Sequence, residues 1–294
     1  MIVKIPRLSG FCPGVKNAEK KIFKALSDRP EEKHSVLGMM INNRRYIEYL
    51  EQHGVKTVGS IDEFERSTTV YIRTHGLDRK LQEALEEDFT ITDLTCINVK
   101  RVQEIINEHS NKGAAVIITG KKSHPEVAGL KSYGEQVMVI ETYEELDDFI
   151  KNEKFNGAGF EPEKYTEIFI TSQTTGSRLL FESAKAKISQ KWKNKRIESF
   201  NSICPVTERK EIEALALQKE TEISFVIGDP LSSNANKLFN RLKQENPDTW
   251  FIQDADDLDK LDIDINRYSS ALVVSSASTP QFVEEEVVKR LETV

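Results

Sequence analysis

Cysteine is scarce in this 294-residue chain: there are three, far apart, and no CxxC pair. An odd, low count at such separations gives no disulfide framework, so a reducing, cytoplasmic compartment is expected. Long apolar runs are also missing. No stretch of 18 apolar residues occurs, which excludes a transmembrane helix. The opening MIVKIPRLSG lacks the apolar core of a signal peptide and reads as a first strand. Basic charge is in deficit, 41 Lys and Arg against 48 Asp and Glu for a net charge of −7. That balance argues against a broad nucleic-acid surface, and no membrane partner is expected. The densest cationic stretch, KWKNKRIE at 191–198, reads as the end of a helix, where cations are favoured.

The few cysteines share one setting. Cys12 lies in SGFCPGVKNAEKKI, Cys96 in DLTCINVKRVQEII and Cys204 in NSICPVTERKEIEAL, each after a short apolar run and before helical periodicity. A helix N-terminus favours the thiolate, the form that binds metal. Structural zinc sites generally use four protein ligands at close spacing, whereas these three are 84 and 108 residues apart. Thiolates also suit iron–sulfur clusters, which normally take four. Three ligands on a four-iron cluster leave one iron open to a substrate.

The repetition extends beyond the cysteines. Each cysteine helix is followed by an apolar strand ending in glycine and then a polar loop: SVLGMMINN, AVIITGKKSHPEVAGL and SFVIGDPLSSNANKL. Cysteine to glycine spans 26, 24 and 24 residues (Gly38, Gly120, Gly228). A third strand then runs into acid-rich helix starts with Ser60, Thr142 and Asp254 as N-caps. A fourth strand ends each unit, in VYIRTHGL, IFITSQTTGS and LVVSSASTP. Continuous apolar strands alternating with helices predict an α/β protein of three pseudo-threefold-related units. Each unit has a small, mainly parallel four-stranded sheet, and the three surround a central cluster cavity. The expected boundaries are 1–88, 89–195 and 196–294, with 151–167 an exposed loop.

Ligands of open α/β sheets sit beyond the carboxyl ends of the strands, where these polar loops lie. His75 and His124 are in them, whereas His34, His53 and His109 read as ordinary surface residues. A carboxyl at Glu126 in a closed cavity would have a raised pKa and could deliver a proton. Thr174 and Thr175 could relay it or hold a substrate hydroxyl. Ser232, Ser233 and Asn234, with Ser278, offer neutral donors near helix N-termini that suit a phosphate.

The segments GFCPGVKNA, RTHGL, DLTCINV, HPEVAG, SQTT, NSICPVTERK, SSNANKL and SASTP together resemble the 4-hydroxy-3-methylbut-2-enyl diphosphate reductase (IspH/LytB) family, in that family's order and over the whole chain. The resemblance implies that Cys12, Cys96 and Cys204 ligate a 4Fe–4S cluster whose fourth iron binds the substrate oxygen. It makes Glu126 the proton donor, with Thr174 and His124 beside it. His75, His124, Thr174, Ser232, Ser233, Asn234 and Ser278 would surround the substrate, mostly its diphosphate. The implied reaction is reductive dehydroxylation of an allylic alcohol diphosphate to isopentenyl and dimethylallyl diphosphates in the non-mevalonate isoprenoid pathway. A ferredoxin or flavodoxin would supply single electrons.

The chain departs from the family pattern at Asn42, where the family commonly has histidine, and at Leu231, ahead of Ser232-Ser233-Asn234, where N-S-S-N is usual. Ile97 stands where proline is usual after the second cysteine, and Ser275-Ser276-Ala277-Ser278 replaces A-G-A-S. Asn42 is a hydrogen-bonding but uncharged candidate for the substrate site. These departures keep open a related iron–sulfur reductase of another allylic or unsaturated substrate. A non-enzymatic iron–sulfur sensor is the remaining alternative, for which the hydroxyl-rich loops would be unneeded.

Overall fold

The computed structural model describes residues 1–293. Strand β1 (Ile2–Lys4) opens the chain, and β2 (Lys33–Leu37), β3 (Val55–Val58), β4 (Thr68–Ile72) and β5 (Thr90–Asp93) follow. Next come β6 (Ala115–Thr119), β7 (Val137–Ile140), a hairpin of β8 (Lys154–Phe155) and β9 (Ala158–Gly159), then β10 (Ile168–Ser172) and β11 (Ile197–Ser199). The last are β12 (Ile223–Ile227), β13 (Thr249–Ile252) and β14 (Ser270–Ser275). The helices are α1 (Pro13–Asp28), α2 (Arg44–Gln52), α3 (Arg79–Asp88), α4 (Ile97–Asn111) and α5 (Pro125–Lys131). They continue with α6 (Tyr143–Asn152), α7 (Arg178–Lys191), α8 (Pro205–Gln218), α9 (Ser233–Glu245) and α10 (Gln281–Glu292). No helix among the described residues is long and apolar enough to cross a membrane.

Three four-stranded sheets result, ordered β3-β2-β4-β5, β11-β10-β6-β7 and β1-β14-β12-β13. The pairings β3–β2, β2–β4, β11–β10, β10–β6, β6–β7, β1–β14, β14–β12 and β12–β13 are parallel. Counted from the strand after each cysteine helix, all three share the order 2-1-3-4. The third sheet takes its fourth strand, β1, from the chain's beginning. Strands β4, β6, β10 and β12 are buried at every residue, as the continuous apolar runs TTVYI, AVIIT, IFITS and ISFVI require of strands covered on both faces. The strand ahead of each cysteine is thus the fourth strand of a sheet, and sheet membership runs one strand past residues 88 and 195.

The chain divides into two compact units. One comprises Met1–Thr74, Thr92–Leu94 and Pro205–Val294; the other comprises His75–Ile91 and Thr95–Cys204. The first contains the third sheet and, apart from the start of β5, the first sheet; the second contains the β11-β10-β6-β7 sheet.

The cap residues act as their side chains allow. Thr142 Oγ accepts from the Glu145 N–H and opens α6. Ser60 and Asp254 open 3-10 turns instead, Ser60 within a capping box that includes Glu63.

Two expectations need correction. Residues 151–167 are not simply an exposed loop. Phe155 in β8 and Phe160 just after β9 are buried, with ring centroids 5.4 Å apart and Phe160 at 5.2 Å from Trp192. Burying two such rings offsets the entropy cost of ordering the segment. Among the histidines, His53 is exposed as expected, but His34 is a buried β2 residue bonded to Tyr71 Oη (2.8 Å) and Arg29 O (3.0 Å). His109 is partly buried, paired with Glu167 and stacked on Phe169 at 3.9 Å. A polar residue inside an apolar strand or helix face is buried when a partner satisfies it, and a single sequence does not reveal the partner.

Candidate functional site

In a 2-1-3-4 sheet the chain leaves the first and third strands in opposite directions, and the loops beyond their carboxyl ends part to form a binding crevice. In the second unit these strands are β6 and β10, in register with Thr119 opposite Ser172. The loop after β6 ends at His124 and leads into α5, whose first turn carries Glu126, and the loop after β10 carries Thr174. Gln173 N–H donates to Thr119 O at 2.8 Å, which fixes one loop to the end of the neighbouring strand. Gln173 Nε2 in turn donates to Thr175 Oγ1 at 2.7 Å, and its Oε1 accepts from the Lys121 N–H at 3.0 Å.

Glu126 is 1% exposed, and both its oxygens meet Thr174: Oε1 accepts the backbone N–H and Oε2 the hydroxyl, each at 2.7 Å. Burial raises the Glu126 carboxyl to about 7, against the two Thr174 hydrogen bonds, which lower it. An acid in that range is protonated for part of the time near neutral pH and can both give and regain a proton. His124, buried at the N-cap of α5, accepts the Glu126 N–H on Nδ1 at 3.2 Å. That bond places the ring's own proton on Nε2. The His75 ring stands edge-on to His124, with centroids 5.3 Å apart.

The raised carboxyl has a consequence for stability. A carboxyl with a folded pKa above its unfolded value favours the fold below the unfolded pKa and loses that contribution as pH rises through the folded one. Between about pH 4.5 and about pH 7, wild type is expected to lose up to about 3 kcal/mol relative to Glu126→Gln. Urea unfolding of both proteins at about pH 5 and about pH 8 checks this; a constant difference between them would contradict it.

In the first unit the equivalent strands of the third sheet are β12 and β14, with Ile227 opposite Ser275. Ser232 caps α9, accepting from the Ala235 N–H at 3.3 Å, and Ser233 is the first residue of that helix. Ser278 lies after β14, 3.4 Å from Ser232 Oγ and 3.1 Å from Ser276 Oγ. Its hydroxyl also donates to Asn42 O at 3.2 Å, and Asn42 Nδ2 donates to Leu231 O at 3.2 Å. Asn42, Ser232 and Ser278 therefore form one hydroxyl and amide cluster. Asn234, two residues after Ser232, has a buried Nδ2 without a hydrogen-bond partner among the described residues. That amide is free to meet an acceptor from outside the chain. Close approach is built in at Gly228, where a Cβ would come within 2.5 Å of Ala235 Cβ.

The cysteines open their helices as expected. Cys12 and Cys96 are the N-caps of α1 and α4, and neither side chain makes a capping hydrogen bond; Cys204 immediately precedes α8. Each is half-buried. Cys204 N–H donates to Thr174 O at 2.8 Å, which ties it to the residue beside Glu126, and Asn98 Nδ2 lies 3.6 Å from its Sγ. Among the described residues no three His, Cys, Asp or Glu side chains gather as ligands of a metal ion. The donor set fits a cluster by its chemistry: three half-buried thiols, each at a helix start, with no capping hydrogen bond from the Cys12 or Cys96 side chain.

Sequence reasoning missed Gln173, Asn98 and Asp229. Asp229 is buried and accepts from the Leu231 and Arg44 N–H groups at 2.8 and 3.2 Å, shaping the loop that bears Ser232. Nothing in their spacing sets them apart from ordinary polar loop residues.

Against known proteins, the LytB protein family model matches residues 3–292. The chain is 33% identical to a 4-hydroxy-3-methylbut-2-enyl diphosphate reductase of Alkaliphilus oremlandii, over 99% of each chain. It is 32% identical to the enzyme of that name from Clostridioides difficile, over the full length of both. A solved structure of (E)-4-hydroxy-3-methyl-but-2-enyl diphosphate reductase, the terminal enzyme of the non-mevalonate pathway, superposes with a TM-score of 0.73 at 28% identity, covering all of both chains. A Plasmodium falciparum reductase shares the fold at 22% identity, with a TM-score of 0.84 over 98% of this chain and 87% of that one. With three 2-1-3-4 sheets, a cysteine at the start of α1, α4 and α8, and a family match over residues 3–292, the chain belongs to the LytB family.

Proposed function

We propose that this protein is an iron–sulfur reductase that removes the hydroxyl of 4-hydroxy-3-methylbut-2-enyl diphosphate and forms isopentenyl and dimethylallyl diphosphates. Full-length relatedness to reductases of that name supports the reading. The observation that carries it is Glu126: a fully buried carboxyl, raised to about 7 by burial and hydrogen-bonded through the Thr174 hydroxyl. Loss of an allylic hydroxyl as water needs a proton delivered to a poor leaving group from a dry site, and this pair is built to supply one.

Cys12, Cys96 and Cys204 are the ligands we assign to a 4Fe–4S cluster, which when bound supplies the electrons and a Lewis-acidic iron. The chain's own residues do the rest. Thr174 holds the substrate hydroxyl and passes the Glu126 proton to it. His124, with Nε2–H as donor, and His75 hydrogen-bond the substrate, and Thr175 steadies Gln173 under the Thr174 loop. Ser232, Ser233, Asn234, Ser278 and Asn42 bind the diphosphate, and the orphaned Asn234 amide is the donor most in need of it. The reaction consumes two electrons and two protons. A ferredoxin or flavodoxin is the electron-donor class we assign.

One observation favours a second reading. Asn42 donates one of its two amide N–H groups to Leu231 O and carries no charge, so the anion site is weaker in positive charge than a protonated histidine would make it. A related reductase of another allylic or unsaturated substrate would have that property. Anaerobic oxidation of reduced viologen decides between the two readings. The cluster-loaded protein is expected to turn over with 4-hydroxy-3-methylbut-2-enyl diphosphate; no turnover by a fully loaded sample would reject this substrate.

A further inference from the structure

Lys210 is a buried charge that the chemistry above leaves unused. It lies on α8 and is 1% exposed. Its Nζ donates to Gly10 O at 2.6 Å and Ser275 O at 2.9 Å. These two carbonyls are its only hydrogen-bond partners among the described residues, and no carboxylate pairs with it. Nearby acids are engaged elsewhere: Glu213 accepts the Arg7 and Leu8 N–H groups at 2.8 and 3.0 Å, and Glu284 accepts the Ser9 hydroxyl.

The two carbonyls belong to the loop that presents Cys12 and to the strand end it rests on. Gly10 N–H donates to Ser275 O at 3.3 Å, and Cys12 N–H donates to Ala277 O at 3.2 Å. Lys210 thus clamps the Cys12 loop from beneath. A neutral donor would be enough for that. A buried ammonium is costly to desolvate unless negative charge nearby compensates it. Burial lowers Lys210 to about 8, so the ammonium form persists at neutral pH beneath the loop that carries Cys12.

We propose that Lys210 is a positioning residue whose buried positive charge, held under the Cys12 loop by Gly10 O and Ser275 O, offsets the negative charge of the cluster bound there and raises its reduction potential. This rests on the cluster assignment above. A cation held in a low-dielectric site favours addition of one electron to a nearby centre, and cluster potentials follow local charge. In the redox titration below, dithionite supplies that electron.

The test is a mediated anaerobic titration of the reconstituted full-length protein, comparing wild type with Lys210→Arg, Lys210→Gln and Lys210→Met. Gln keeps a donor for the carbonyls without the charge, whereas Arg keeps the charge. The expected result is a wild-type-like midpoint for Arg and a more negative midpoint for Gln and Met; loss of iron from the neutral variants alone would also support the charge. Equal midpoints in all four proteins would overturn the proposal, as would equal loss of iron in all three variants, Arg included. A wild type that binds no cluster would instead defeat the functional reading itself.

Discussion

Glu126→Gln is expected to lower turnover about 10²–10⁴-fold while leaving cluster content and substrate affinity close to wild type. The magnitude follows from what is removed. Gln has nearly the shape of the protonated acid and can still accept the Thr174 N–H, so the geometry around Oε1 survives. It cannot give a proton to the Thr174 hydroxyl, 2.7 Å away in wild type. The loss therefore falls on the chemical step. Steady-state viologen oxidation with titrated iron and a separate substrate-binding measurement separates the two. Near-normal turnover would take Glu126 out of the proton path, and an equal fall in affinity would make it a binding residue.

Replacing any one of Cys12, Cys96 and Cys204 with Ala is expected to abolish activity and to strip most iron from the anaerobically reconstituted protein. A cluster already one cysteine short of the usual four has no protein ligand to spare. The three substitutions are expected to be equally severe, since each removes one thiolate from the same helix-start position. Iron and sulfide per chain, with the visible absorbance of the cluster, check this. Full iron retention in any one variant would remove that cysteine from the ligand set.

Much of this was legible in the sequence because it is local. Helix starts at the cysteines, glycine-ended strands and the Thr142 cap depend on neighbours a few residues away. The 2-1-3-4 order was not legible: the strands ahead of Cys12, Cys96 and Cys204 look alike, and only pairing shows which sheet each one closes. Glu126 and Thr174 stood out by their motifs. Their contact arises because β6 and β10 are neighbours, which places residues 48 apart in the chain in hydrogen-bond contact. Lys210 was hidden for the opposite reason. In TERKEIEAL it reads as part of a solvated, charged helix face, and only packing shows it buried. The order in 151–167 was missed because Phe160, just past the hairpin, packs against Trp192, which the chain reaches only about thirty residues later.

The most direct test of the account is iron and acid-labile sulfide per chain in the anaerobically reconstituted wild-type protein. The account expects four of each, held by three thiols, with one iron whose spectroscopic signature changes when the diphosphate substrate is added. A single bound ion without sulfide, or four irons all insensitive to that substrate, would contradict it.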